Sequence, residues 1–458
     1  MAIHSVNPAT GERLALFDEQ TPADVERALA RAWEARDVWR DTPVSARASR
    51  FAELAAYLRH DRPRLGALLT SEMGKPIVEA EAEVEKCAWT ADWFAQHAET
   101  MLAPRPVAST ATTSYVDFRP LGVILAVMPW NFPLWQVFRA AIPALMGGNV
   151  MLLKHASNVP QTALEAGLVF RRSGFPEGVF QTLLVGSGAV EQVIRDRRVA
   201  GVTLTGSETA GAQVAAVAGS ALKKTVLELG GSDPFIVLED ADVPAAARVA
   251  CRARNQNNGQ SCIAAKRFIV VEAVADEFER CFGEAVAALR VADPMDRDTD
   301  VGPLARGDLV ADLERQVRES VALGARPVVG GGRIDRPGFY FQPTVLTGVT
   351  REMPVFREET FGPVAAVIRV RDEAEALAVA NDSDFGLGAA VWTGDVRRGR
   401  RLARRIEAGA VFVNGMVASD ARLPFGGVKR SGYGRELAEF GMHEFLNVQT
   451  VWVGPARS

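Results

Sequence analysis

The sequence predicts an α/β protein with two doubly wound blocks, on the strength of two alternations and the ribbon that interrupts them. In the first, apolar runs at 122–128, 150–153, 179–185 and 201–203 alternate with helical spacing at 134–146, 160–173 and 188–197. Continuous apolar strands separated by amphipathic helices are what a parallel sheet covered on both faces requires. The second starts near Pro234, with strand patterns at 235–238, 267–271, 328–330 and 364–369 and helical ones at 243–258, 274–290 and 306–323. Ahead of both, residues 103–119 turn to Pro, Thr, Ser and Val, a composition for extended ribbon, and the apolar run 446–453 near the C-terminus is its expected partner.

From the N-terminus, the first element is a helix over 21–40, with Thr21 as N-cap, Pro22 at the first position, and Val25, Leu29, Ala32 and Trp33 on one face. Helices over 45–71 and 77–97 follow. Glu79, Glu81, Glu83 and Glu85 alternate with small residues in the latter and read as a solvated face. The long apolar passage 132–153 contains Pro133, Gln136, Arg139, Pro143, Gly147, Gly148 and Asn149, which would be costly in hydrocarbon, so it reads as a buried segment and no membrane partner is expected.

Composition narrows the function. The 458 residues suffice for two or three domains, and 48% hydrophobic and 24% charged residues with a net charge of -4 leave no basic excess for nucleic acid. The four cysteines, Cys87, Cys251, Cys262 and Cys281, form no Cys-x-x-Cys and have no histidine cluster beside them, which excludes a disulfide framework and a structural zinc site. A reducing compartment follows. With no apolar signal core after the first methionine, the expectation is a cytoplasmic protein.

Four stretches carry chemistry, with a weaker fifth. At 257–262 a lone cysteine, Cys262, is framed by amides and small residues, a setting that suits an exposed nucleophile, although free cysteines more often act as small buried hydrophobes. Glu228, followed by Leu229, Gly230 and Gly231 at the handover between the blocks, can reach an interdomain cleft as a general base; the alternative is an ion-paired loop residue. Asn131 sits in Pro-Trp-Asn-Phe-Pro, where two prolines stiffen the backbone around a possible oxyanion donor; the alternative is a turn asparagine. At 204–211 a strand meets a helix through Gly206 and Ser207, a phosphate-binding geometry, and Gly186 to Gly188 is a weaker one.

In this order, with NPATGE at 7–12, PWNFP at 129–133, Lys154 at a strand end, LTGS at 204–207, ELGG at 228–231, GQSC at 259–262, EETFGP at 358–363 and PFGGVKRSG at 424–432, the chain resembles the aldehyde dehydrogenase superfamily over essentially its whole length. The stretches 154–158, 228–235 and 414–427 look most like the shorter bacterial succinate-semialdehyde dehydrogenases. The resemblance implies that Cys262 attacks an aldehyde, that Asn131 and the Cys262 backbone N–H hold the oxyanion, and that Glu228 activates the hydrolytic water. It implies NAD or NADP as cofactor, bound by Trp130, Lys154, Gly206, Ser207, Glu359 and Phe361. Many NAD-specific members carry glutamate where this chain has Ser157, so a bar against the NADP phosphate is absent and NADP is expected to be accepted beside NAD. A lysine common in the family is replaced by Ala140.

For the substrate, the resemblance implies that Arg139 binds a distal carboxylate. A second family arginine is Gln256 here, leaving Arg422, Gln256 or Ser419 to compensate. The expected function is NAD(P)-dependent oxidation of an aldehyde, foremost succinate semialdehyde, to the acid. The alternatives are another small or medium aldehyde, a CoA-acylating enzyme, which has little need of Glu228, or a scaffold that has lost activity, which has no reason to keep all three residues. The expected domains are a doubly wound dinucleotide-binding domain at 1–102 and 121–229, an α/β catalytic domain at 230–432, and a small β oligomerisation element at 103–120 and 433–458. A homodimer or homotetramer is implied, because isolated ribbons bury too little surface.

Overall fold

The computed structural model describes residues 2–455. Strands β1 (Ala2–Val6) and β2 (Arg13–Asp18) pair as an antiparallel hairpin, absent from the sequence expectation because its residues are half exposed and show no apolar run. Helix α1 (Pro22–Asp41) begins with a capping box in which Thr21 and Asp24 satisfy each other's backbone N–H groups. The expected helix 45–71 is two helices, α2 (Val44–His60) and α3 (Arg62–Met73), because Pro63 cannot continue a helix and fits only its first turn. Helix α4 (Ile77–Leu102) then runs 26 residues.

Two short stretches, β3 (Arg105–Pro106) and β4 (Thr113–Pro120), lead to the first parallel block. It comprises β5 (Val123–Met128), α5 (Trp135–Met146), β6 (Val150–His155), α6 (Pro160–Arg172), β7 (Phe180–Leu183), α7 (Val190–Arg195), β8 (Val199–Thr205), α8 (Glu208–Ser220) and β9 (Lys224–Glu228). The passage checked for a membrane span thus forms α5 and β6, both buried. No helix among the described residues is long and apolar enough to cross a membrane.

The second block opens with β10 (Asp233–Val237), α9 (Val243–Asn255), β11 (Ala265–Val271), α10 (Glu272–Ala287) and α11 (Gly307–Ala322). It continues with β12 (Arg326–Val329), β13 (Thr344–Thr347), α12 (Pro354–Arg357), β14 (Val364–Val370), α13 (Glu373–Asn381), β15 (Phe385–Gly386) and β16 (Gly388–Trp392). Helix α14 (Val396–Ala403), β17 (Ala410–Val413), β18 (Val428–Lys429), β19 (Gly432–Tyr433), α15 (Ala438–His443) and β20 (Leu446–Val453) complete the chain.

The strands assemble into a six-stranded sheet of order β19-β9-β8-β5-β6-β7 and a seven-stranded sheet of order β12-β13-β14-β11-β10-β16-β17. Both are parallel except at one edge, where β19 and β12 run antiparallel to their neighbours. Across the outside, β20 pairs with β4 from Leu446 opposite Pro120 to Val453 opposite Thr113, and β3 completes a three-stranded sheet. Residues 456–458 of the expected oligomerisation element lie outside the described residues.

The acidic run on α4 divides differently from the solvated face expected of it. Glu79, Glu83 and Lys86 stand at i, i+4 and i+7 and share one face, whereas Glu81 and Glu85 point outward to Arg297 and Arg59. Glu83 is 4% exposed, pairs with the fully buried Lys75, and accepts the free N–H groups of Leu134 (2.9 Å) and Trp135 (2.8 Å) at the start of α5. One buried carboxylate thus joins three elements and caps a helix that has no capping side chain of its own. Replacing Glu83 by Ala leaves the Lys75 ammonium buried without its carboxylate, and the variant is expected to lose about 3–5 kcal/mol of stability. Chemical denaturation measures it; a loss under about 1 kcal/mol would show that water replaces the carboxylate.

Candidate active site

Helix α9 stops at Asn255, three residues before the expected end, because the chain next turns left-handed: Asn257 has φ 56°, Asn258 φ 57° and Gly259 φ 72°. Asparagine tolerates that region better than other residues with a side chain, and glycine is needed at 259, where a Cβ would lie 2.4 Å from the Gly362 carbonyl carbon. The amides lock the turn. Asn258 donates to the carbonyls of Gly74 (2.9 Å) and Pro303 (2.8 Å) and accepts from the Gly302 N–H (2.7 Å), while Gln260 accepts from the Ala305 N–H (2.9 Å). The buried Lys266 ammonium holds the carbonyls of Ser261 (3.0 Å) and Cys262 (2.8 Å).

The turn delivers Cys262 to the meeting point of two cavities. One, of about 300 Å³, is walled by α4, α5 and the 256–263 loop; the other, of about 180 Å³, lies along the carboxyl edge of the six-stranded sheet. Only Cys262 and Gln136 line both. Burial pushes the Cys262 thiol up to about 12, against the opposing pull of Arg139 and Lys266, so the resting group is a thiol.

Asn131 lies in the wall of the smaller cavity. One hydrogen of its side-chain amide is donated to the Gln260 carbonyl (3.1 Å), and its backbone carbonyl accepts from the Asn257 side-chain amide (2.8 Å). The second amide hydrogen remains available in a fixed direction. Glu228 ends β9, is 2% exposed, and neither of its carboxyl oxygens has a hydrogen-bond partner among the described residues. Gly426 passes so close that a Cβ there would stand 2.8 Å from the Glu228 carboxyl. Burial, then the neighbouring Glu436, holds the Glu228 pKa well above the usual carboxylate range. Its charge and the Cys262 thiol lie within electrostatic reach of each other.

The smaller cavity suits a dinucleotide. Strands β5, β6, β8 and β9 are parallel, so Trp130, Lys154, Gly206 and Glu228 fall at one edge of the sheet, where ligands of doubly wound folds collect. Gly206 and Ser207 line it beside the N-terminus of α8, which Ser207 caps, and a Cβ on Gly206 would still clear its neighbours by 3.6 Å. The rings of Trp130 and Phe361 meet edge to face at 5.7 Å, and Glu359, fixed by the Gly231 N–H (3.0 Å) and Lys266 (3.4 Å), completes the lining. Lys154 lies one residue before the end of β6, half buried, and Ser157 is exposed in the turn beyond it; both lie outside the cavity wall itself.

On the larger side the structure amends the expected carboxylate clamp. Gln256, Ser419 and Arg139 line the cavity, but the Arg139 guanidinium is already ion-paired with the buried Glu436 and lies 4.5 Å from the Phe425 ring. A substrate carboxylate would meet a neutralised pair there. Arg422 is exposed, paired with Asp420 (2.6 Å), and does not line the cavity. Sequence reasoning missed Glu79, Lys86, Trp135 and Arg252 in this wall. The helical spacing of 79, 83 and 86 was the available signal.

The sequence profile described as "Aldehyde dehydrogenase family" matches residues 1–451. A probable succinate-semialdehyde dehydrogenase [NADP(+)] of Synechocystis is 52% identical over 453 residues, covering 99% of this chain and 100% of that protein. A succinate-semialdehyde dehydrogenase [NADP(+)] 1 of Mycobacterium bovis is 52% identical over 456 residues, with 99% and 100% covered. The crystal structure of succinic semialdehyde dehydrogenase from Streptococcus pyogenes in complex with NADP+ superposes with a TM-score of 0.97 at 38% identity, covering 99% of this chain and 100% of that one.

A thiol held near 12 is nucleophilic only in proportion to its small thiolate fraction. Alkylation of Cys262 by iodoacetamide, followed by peptide mass spectrometry, is therefore expected to accelerate about tenfold per pH unit between pH 7 and 9. A plateau by pH 8 would show that the ligand-free site ionises the sulfur.

Proposed function

The chain belongs to the aldehyde dehydrogenase family, and we propose that it oxidises succinate semialdehyde to succinate with NADP, accepting NAD as well. The observation that carries this reading is the position of Cys262, which lines both a cavity fit for a dinucleotide and one walled by cations, carboxylates, neutral polar groups and aromatic rings. The names of the Synechocystis, Mycobacterium and Streptococcus proteins support the substrate and the cofactor.

In this reading the Cys262 sulfur, once deprotonated, bonds to the aldehyde carbon. The new oxyanion accepts hydrogen bonds from the free Asn131 amide hydrogen and the Cys262 backbone N–H. NADP, when bound, supplies the hydride acceptor that turns the thiohemiacetal into a thioester. Glu228 takes a proton from water as the water oxygen attacks the thioester carbon, and the C–S bond breaks to return the cysteine. Burial makes Glu228 a stronger base than a solvated carboxylate, which is the direction that step needs. Trp130, Lys154, Gly206, Ser207, Glu359 and Phe361 are the residues we assign to the cofactor, and Ser157 leaves room for its phosphate. Gln256 and Ser419 offer the substrate neutral polar contacts.

We divide the chain into a cofactor-binding domain at 1–102 and 121–229, a catalytic domain at 230–432, and an oligomerisation element at 103–120 with 433–458. The element exposes Val448, Trp452 and Val453 on β20, which favours a homodimer or homotetramer built across it. All four cysteines are free, in keeping with a reducing, cytoplasmic setting.

A panel of short semialdehydes and unsubstituted aldehydes, run with each cofactor, tests the assignment. Succinate semialdehyde with NADP is expected to give the highest kcat/KM, and a higher kcat/KM with NAD than with NADP would defeat the cofactor reading. Asn131→Ala is expected to lower kcat by about 10²–10³; a change within about threefold would remove the amide from the oxyanion role.

A further inference from the structure

The larger cavity contains a cation that the sequence did not point to. Lys86 reaches it from α4, half buried, with its ammonium 4.3 Å from the centre of the Trp135 ring and donating to the Ser419 hydroxyl at 2.6 Å. It forms no ion pair among the described residues. Its neighbours in the wall are otherwise engaged: Arg139 with Glu436, Glu83 with Lys75, and Glu79 as acceptor of the Asn257 N–H at 2.6 Å.

We propose that the Lys86 ammonium, seated between the Trp135 ring and the Ser419 hydroxyl, is the anchor for the distal carboxylate of the aldehyde. The inference rests on the substrate class proposed above and changes which residue recognises it. An ammonium has three donors; one is given to Ser419, which leaves two for a carboxylate. Trp135 and Ser419 hold the flexible side chain in place before substrate arrives, so less freedom is lost on binding. Lys86, Arg139 and Cys262 all line this one cavity, so the anchor and the nucleophile face the same space. Burial, with Arg139 adding repulsion, lowers the Lys86 pKa to about 8, and the opposite charge of an arriving carboxylate offsets both effects. Arg252, the other cation in the wall without an ion pair, is exposed and hydrated at the rim, where a carboxylate gains less.

The test compares KM and kcat for succinate semialdehyde and butanal, four-carbon aldehydes with and without the carboxylate, in the wild type, Lys86→Met, Lys86→Gln and Arg252→Met. Lys86→Met is expected to raise KM for succinate semialdehyde at least about tenfold more than KM for butanal, with the loss in KM rather than kcat. Lys86→Gln, which keeps a donor for Ser419, is expected to show the same split and serves if the methionine variant does not fold. Equal losses on both aldehydes would make Lys86 structural and overturn the inference. So would a preference lost in Arg252→Met but kept in the Lys86 variants. A wild-type enzyme indifferent to the carboxylate overturns the substrate reading itself, whereas a wild-type preference that survives both Lys86 changes overturns the anchor alone.

Discussion

Three consecutive left-handed residues, Asn257, Asn258 and Gly259, are the constraint on which the active site depends. A helix that continued past Asn255 would carry the cysteine away from the cleft. The reversal is unfavourable locally and persists because the amide side chains bond to four different parts of the chain: Gly74 before α4, Asn131 after β5, the 302–305 segment, and Gln260 within the loop itself. The turn therefore gathers the six-stranded sheet, the helical layer and the second α/β block around one sulfur.

Burial then sets the chemistry. Burial raises the pKa of both the Cys262 thiol and the unpartnered Glu228 carboxyl, so each is a stronger base once it has ionised. The cations nearby are divided in function: Lys266 and Arg254 hold backbone carbonyls of the cysteine loop, and Arg139 is matched by Glu436. Few charges remain free to meet a substrate, which is why an unpaired one in the wall is informative.

The parallel strands were legible because strands buried on both faces are continuous apolar runs, as at Val123–Met128 and Val150–His155. The β1–β2 hairpin was not, since it lies half exposed and lacks that signature. Pro63 announced the break between α2 and α3 but was overridden by the helical composition around it. Asn131, Glu228 and Cys262 were singled out through their framing residues; their spacing along the chain says nothing of distance in space. The acidic run on α4 misled for a definite reason: alternation in sequence was read as one face, whereas a helix sends Glu79 and Glu83 inward and Glu81 and Glu85 outward. Arg422 was chosen for its charge, and Asp420, two residues before it, already satisfies that charge at the surface.

Among the described residues the two cavities share only Cys262 and Gln136, so in the reading proposed above each reactant would have its own doorway. An inhibitor lodged behind Phe132 and Trp135 would shut out the aldehyde while leaving the nucleotide free to come and go.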